Sequence, residues 1–384
     1  MSTTTTSARA IVTRGAHRDG KWNMEDILLR PIKDDELLVQ MVASGICHTD
    51  VLFGDAAENI GGYPRIMGHE GSGYVKEFGK DVKVAQVGDP VLLSFPYCSA
   101  CQICTSGHPS HCVSAMELCF VGNKTCSPAA SSNPSAATAE ISASFFGQSS
   151  FASLSIVNES SVVNAKDLIK SKDEMKIFAP LGCGFQTGSG SIYNVANCSP
   201  SDTVAIMGVG GVGLSGVMGA KIGGARTIIA IDRVPARLEL AKEIGATHTI
   251  NSDGMDMPAL IKAVRHLTDG YGSSITMDTT GLPKLIAAGV EFTRRKGQYV
   301  QIGSAPMDAK IEIEIFNFMA SGKKFIGAVE GDIVPTEYIP KMIGWYREGK
   351  FPIDKLMKTF KADDFMGAIH EMHTGETIKP IIVW

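Results

Sequence analysis

From Thr203 onward, short apolar runs alternate with helix-length segments: Thr203–Met207, Thr227–Asp232, residues 274–278 and residues 298–302 are the runs. Strands covered on both faces read as continuous apolar stretches, and helices between them bring the chain back so that the strands pair in parallel. That alternation predicts a parallel sheet wrapped by helices. The segment 236–244 fits one such helix, with Leu238, Leu240, Ala241 and Ile244 near one face and Gly245 placed to end it.

The first third of the chain reads differently. Residues 36–42 and 91–95 are apolar runs set among Gly and Pro, which predicts irregular strands joined by loops and few helices. Beyond Val329 the alternation fades, and Pro335, Pro340 and Pro352 interrupt the C-terminal segment. With 384 residues, two domains are expected. We expect residues 1–184 and 330–384 to form one discontinuous catalytic domain around an inserted nucleotide-binding domain at 185–329. Residues 127–137, rich in Ser, Ala and Pro, read as a surface loop.

A net charge of -4 without a basic stripe excludes a nucleic-acid partner. No run reaches the roughly 18 to 20 apolar residues of a membrane span, and residues 1–10 lack the apolar core of a secretion signal. A cytoplasmic protein is expected, and the cysteines agree. Of nine, five crowd between Cys98 and Cys119, and four of those stand at metal-ligand spacing, which suits a reducing compartment.

Those four are Cys98, Cys101, Cys104 and Cys112, a C-x-x-C-x-x-C-x7-C run. Four thiolates close a tetrahedral zinc shell with no open position, so the site would be structural. Disulfides, buried thiols or an iron-sulfur cluster are the alternatives. A second set is dispersed: Cys47 in Gly-Ile-Cys-His-Thr-Asp, His69 in Gly-His-Glu-Gly, and Cys183 in Gly-Cys-Gly. Two sulfurs and one imidazole leave zinc's fourth position for water or a substrate oxygen, as catalytic sites require. Each residue alone is more often a small buried thiol or a satisfied core histidine. Asp50 would accept the other ring N–H of His69, or cap a helix beginning at Val51. Glu70 could be an outer partner, a transient ligand or a surface charge.

The third set is Gly208-Val209-Gly210-Gly211-Val212-Gly213, placed after the strand Thr203–Met207 and opening a helix of small residues. Gly208 would make the tight turn, Gly210 admit a pyrophosphate and Gly213 let helix and strand pack closely, with the helix N-terminus supplying N–H donors. Asp232, ending the next strand, can accept from a ribose 2′-hydroxyl and would repel a 2′-phosphate, so NAD is expected over NADP. Arg233 and Arg237 could accommodate that phosphate, or be solvated charges at a helix end.

Together, in this order, these motifs resemble the zinc-containing medium-chain alcohol dehydrogenases, a match running from about Gly45 to Lys379 that also includes LGCGFQTG at residues 181–188. Residues 145–151 (FFGQSSF) with His48 look most like the aryl and benzyl alcohol branch. The resemblance implies a GroES-like, mainly-β catalytic domain and a Rossmann domain, with the active-site cleft between them. It implies two zinc ions per chain, one catalytic and one structural, and a homo-oligomer, dimer or tetramer. It further implies that His48 and Lys379 contact the cofactor pyrophosphate and that Thr49 begins a proton relay. Some relatives end that relay in a histidine where this chain has Leu52. Ser94 stands where relatives often carry a bulky aromatic, which suggests a roomier cleft.

The expected activity is interconversion of a primary aromatic or allylic alcohol and its aldehyde. The rivals are a glutathione-dependent formaldehyde dehydrogenase, an NADP-linked aldehyde reductase, a zinc-free quinone or enone reductase, and a non-enzymatic zinc-bearing interaction protein. The apolar run at residues 311–318 could serve an edge between subunits or form a buried strand of the monomer.

Overall fold

A computed structural model of the chain describes residues 5–129 and 140–384. Residues 130–137 of the expected surface loop lie outside it; Ser127 and Pro128 end a strand, Lys124–Pro128, that pairs with Trp22–Leu29. The chain forms two compact units, residues 1–183 with 334–344 and 353–384, and residues 184–333 with 345–352.

In the first unit, the strands Thr6–Thr13, Trp22–Leu29, Lys124–Pro128, Ile141–Ser142 and Arg65–Ile66 close into a barrel. A second sheet is built on the long strand Glu36–Gly45, nearly all of it buried, with Gly71–Phe78 and Leu154–Asn158 as partners. The last strand, Lys379–Val383, pairs antiparallel with it through Ile381–Gly45 and Ile382–Ser44. Leu37, Val39, Met41, Val75, Val91 and Leu93 fill the core beside this sheet. That pairing carries Lys379 to the Cys47 end of the strand.

The second unit holds a six-stranded sheet, every neighbouring pair parallel. Counted along the chain from Thr203–Met207, its strands lie in the order 3-2-1-4-5-6, the doubly wound dinucleotide topology. The helix Pro235–Ile244 turns Leu238, Ala241 and Ile244 inward, as its spacing predicts.

Trp345 and Phe351 pack with the second unit, on Tyr193 and Phe185 respectively, which is why residues 345–352 part from the C-terminal segment they adjoin in sequence. Residues 311–318 form no buried strand: they lead into the helix Ile315–Ser321, where Ile315, Phe316 and Met319 are exposed. No described helix is long and apolar enough to cross a membrane.

Candidate active site

The strand Glu36–Gly45 delivers Cys47 to the start of a short helix, His48–Asp55. The helix begins earlier than a cap at Asp50 would allow. Cys47 occupies the capping position and Asp50 sits one turn in, its Oδ2 accepting the Cys47 N–H at 2.9 Å. The other oxygen accepts from Gly68 N at 2.9 Å and meets His69 Nδ1 at 2.7 Å. Asp50 and His69 are both fully buried, so this contact leaves Nε2 as the ring atom free to ligate. Nε2 stands 3.2 Å from the Cys183 sulfur. One ligand atom each from Cys47, His69, Glu70 and Cys183 lies within 4.8 Å of all the others.

The electrostatics of this cluster favour charge on the Cys47 sulfur. The bond from Cys183 holds the Cys47 thiol well below its ordinary range; burial opposes this, and His69 and Lys379 add to it. Burial would lower the His69 imidazole, but the Asp50 carboxylate and Cys47 raise it well above the usual value. Two sulfurs and an oriented imidazole in so compact a set suit a soft divalent ion such as zinc.

Glu70 is fully buried, which removes the surface-charge reading. Its oxygens each lie 2.8 Å from Lys379 Nζ, which also donates to Ile46 O at 3.3 Å. Lys379, implied as a pyrophosphate contact, is thus held in an ion pair with Glu70 beside the Cys47 turn. Burial pushes the Glu70 carboxyl up to about 7 in spite of that partner. A Cβ at Gly45 would stand 2.0 Å from Glu70 Oε2, so only glycine leaves room for the carboxylate. Thr49 Oγ1 is 3.6 Å from the Cys47 sulfur, beside the cluster as a proton relay requires. His48 is exposed, its ring edge-on to His373 at 6.0 Å. Leu52 is 55% exposed and offers no group that could take a proton.

Ser94 is fully buried and its hydroxyl donates to Gly182 O at 2.8 Å, a tie within the structure. An aromatic cluster that sequence reasoning did not assemble adjoins the site: Phe146 lies 4.6 Å from the His69 ring, and Phe53, Phe120 and Phe145 pack around it. Only residues 145–151 carried a hint of it.

Cys98, Cys101, Cys104 and Cys112 also converge within 4.8 Å, and all nine cysteines are free, which removes the disulfide alternative. Cys98 and Cys104 sulfurs stand 3.9 Å apart, near the roughly 3.8 Å edge of a tetrahedron with zinc-sulfur bonds of about 2.3 Å. Backbone N–H groups of Cys98, Cys101 and Cys104 point at the sulfurs of Cys112, Cys98 and Cys101 at 3.3 to 3.4 Å. Such donors stabilise thiolates, and they pull Cys101 down to about 6.

In the second unit the glycine turn follows its strand. Gly208 has φ +80 and Gly213 lies so close to the turn that a Cβ would meet Gly208 O at 1.9 Å. At Gly210, φ is -74 and no heavy atom lies within 4 Å of where a Cβ would be. Neither conformation nor packing demands glycine there, and the open space at the start of the helix Gly211–Ile222 is what an approaching phosphate needs. Asp232, almost fully buried, accepts from Val209 N at 2.8 Å and Val234 N at 2.9 Å, fixing the carboxylate beside the turn. Beyond the carboxyl ends of the strands is a cavity of about 540 Å³ lined by Arg233, Ser252, Met255, Leu260, Leu282 and Leu285, which sequence reasoning missed because three loops build it. Arg233 is exposed, as a solvated charge would be; Arg237 is half-buried, with its Nε hydrogen-bonded to nothing.

Residues 33–167 match the family described as alcohol dehydrogenase GroES-like domain, and residues 211–348 match zinc-binding dehydrogenase. The chain is 34% identical over 380 residues to a geraniol dehydrogenase of Castellaniella defragrans, covering 98% of each chain. The chain belongs to the zinc-dependent alcohol dehydrogenase family. Among solved structures, this dehydrogenase superposes on benzyl alcohol dehydrogenase from Acinetobacter calcoaceticus with a TM-score of 0.88 and 34% identity, covering 98% of this chain and 99% of that one. It is also 32% identical over 362 residues to an S-(hydroxymethyl)glutathione dehydrogenase of Synechocystis, covering 93% of this chain and 95% of the relative. The GroES-like and Rossmann-like parts expected of the fold are thus both present, and the dehydrogenase is an oxidoreductase that acts on small alcohols with zinc and a nicotinamide dinucleotide.

Proposed function

We propose that this dehydrogenase interconverts primary aromatic or allylic alcohols and their aldehydes, preferring NAD to NADP and carrying two zinc ions per chain. The convergence of Cys47, His69 and Cys183 carries the reading. Those three would hold the catalytic zinc and Cys98, Cys101, Cys104 and Cys112 the structural one, all within the first unit, which is the catalytic domain; the second unit is the nucleotide-binding domain. When bound, zinc supplies a Lewis acid for an alcohol or carbonyl oxygen, and the dinucleotide supplies the acceptor or donor of hydride.

The chain's own residues do the rest. Asp50 fixes the tautomer of His69 and so the direction of its Nε2 lone pair. The Thr49 hydroxyl receives the alcohol proton and passes its own onward, so that loss of one proton and one hydride balances the oxidation. Lys379 offsets the negative charge of Glu70 beside the two thiolates. The turn from Gly208 through Gly211, Val212 and Gly213 receives the pyrophosphate. Asp232 accepts from the ribose hydroxyls, and the apolar cavity beside Arg233 takes the adenine.

For the substrate, the ring of Phe146 beside His69, with Phe120 against it and Phe53 against Phe120, offers an aromatic surface on which a flat, unsaturated group packs. The geraniol and benzyl alcohol relatives support the same choice. The test is turnover of aliphatic, allylic and aromatic alcohols with both nicotinamides, with and without glutathione. Benzyl or allylic alcohols should exceed ethanol in kcat/KM without glutathione; ethanol far ahead, or dependence on glutathione, would overturn the substrate assignment. Cys47→Ser and Cys183→Ser should abolish turnover while NAD still quenches intrinsic fluorescence. Full activity in either would count against the site.

A further inference from the structure

Apart from the ring of Phe146, residues 145–151 form a motif to which the reaction above gives no task. In the structure they wrap the chain on both sides of His69. Ser149 Oγ donates to Ile66 O at 2.7 Å, Phe151 N to Met67 O at 3.0 Å and Ser150 N to Gly68 O at 2.9 Å. Phe146 lies over the imidazole itself, at an interplanar angle of 30°, with its backbone in the left-handed region at φ 50. A non-glycine residue held there carries strain that the surrounding contacts must outweigh.

Gln148 stands at the centre of this wrap and is fully buried. Its Nε2 donates to His69 O at 2.9 Å and to Ser94 O at 3.0 Å, and its Oε1 accepts Gly71 N–H at 3.0 Å. Ser94 in turn donates its hydroxyl to Gly182 O, the carbonyl just before Cys183. Leu93 O would be 1.9 Å from a Cβ on Gly182, so the two strands of chain are in contact here. His69 and Cys183 are 114 positions apart, yet one amide and one hydroxyl join their backbones. Buried amides with every group satisfied are rigid ties, because breaking one strands polar atoms out of reach of water.

We propose that Gln148, acting through Ser94, is a positioning residue that sets the separation and direction of His69 and Cys183 and thereby the geometry of the metal they hold. The inference rests on the zinc reading above. It assigns the motif a role distinct from substrate choice: the clamp governs how firmly and in what shape the metal is bound.

The test replaces the catalytic metal of the intact enzyme with cobalt(II) and records the visible ligand-field bands and the rate of metal release to a chelator. Gln148→Glu keeps the acceptor for Gly71 and removes both donors; Ser94→Ala removes one hydroxyl; Ser94→Thr retains it. Gln148→Glu and Ser94→Ala should shift the bands and speed release by roughly tenfold or more, as loss of an outer partner to a ligand does, while Ser94→Thr follows the parent. Should Gln148→Glu fail to fold, the two Ser94 variants decide. Ser94→Ala with the parent's bands and release rate would overturn the proposal. A parent that takes up no cobalt beyond the four-cysteine site would instead overturn the zinc reading on which it stands.

Discussion

Asp50 shows how one carboxylate orders a site. It has no exposed surface, and its two oxygens serve the N–H groups of Cys47 and Gly68 and the ring of His69. Asp50→Asn keeps the shape but turns an amide N–H toward one of these donors. Metal affinity at the catalytic site should fall roughly 10- to 100-fold, read by chelator competition; an unchanged affinity would remove Asp50 from the outer sphere. Far from the site, Glu36 makes a pH test of the fold. Burial would raise its carboxyl, but two bonds from Arg30 at 2.7 Å and one from Lys33 N at 2.8 Å lower it below the ordinary 4.5. A depressed folded value means the stabilisation is fully present above about 4.5 and is lost as pH falls through the lower folded value. The Tm gap between the parent and Glu36→Gln should therefore close on acidification through that window. A gap independent of pH would contradict the ion pair. Lys379 marks the limit of reading at this scale: its ion-pair partner, Glu70, lies 309 positions away and nothing local announces it.

The glycine turn illustrates what an element can be asked. Gly213→Ala puts a methyl against Gly208 O and should cost roughly 1 to 3 kcal/mol by overpacking. Gly210→Ala meets no protein atom, so the fold should keep its Tm while NAD binding weakens by tenfold or more. Equal NAD affinity for parent and Gly210→Ala would mean that the open space is not where the phosphate lies. Elements such as this were legible because buried parallel strands announce themselves. Thr203–Met207 and Thr227–Asp232 stand where their apolar runs predicted, and only the edges of neighbouring strands moved, the run at 298–302 belonging to Thr293–Gln301. The start of the His48–Asp55 helix was not legible, since Cys47 is an unusual cap and Asp50 at the third helical position looks like a cap itself. Nor was the clamp at residues 145–151, whose bonds reach across 54 positions to Ser94 and 83 to Ile66.

At the scale of the molecule, the edge strand Lys324–Gly327 and the helix Ile315–Ser321 leave Ile315, Phe316 and Met319 largely uncovered. We propose that these exposed apolar side chains, near the edge strand of the sheet, are where a second copy of the chain would pair. On that proposal Phe316→Glu shifts the enzyme toward monomer in sedimentation velocity; an unshifted distribution would contradict it. The proposed chemistry depends on two thiolates and an imidazole, drawn from three distant stretches of chain, sharing one divalent ion. Zinc per chain, measured by mass spectrometry on the parent and on Cys47→Ser, tests that most directly. Two ions are expected in the parent and one in the variant, matching the two donor clusters, with alcohol turnover gone. Equal zinc in both proteins would contradict it.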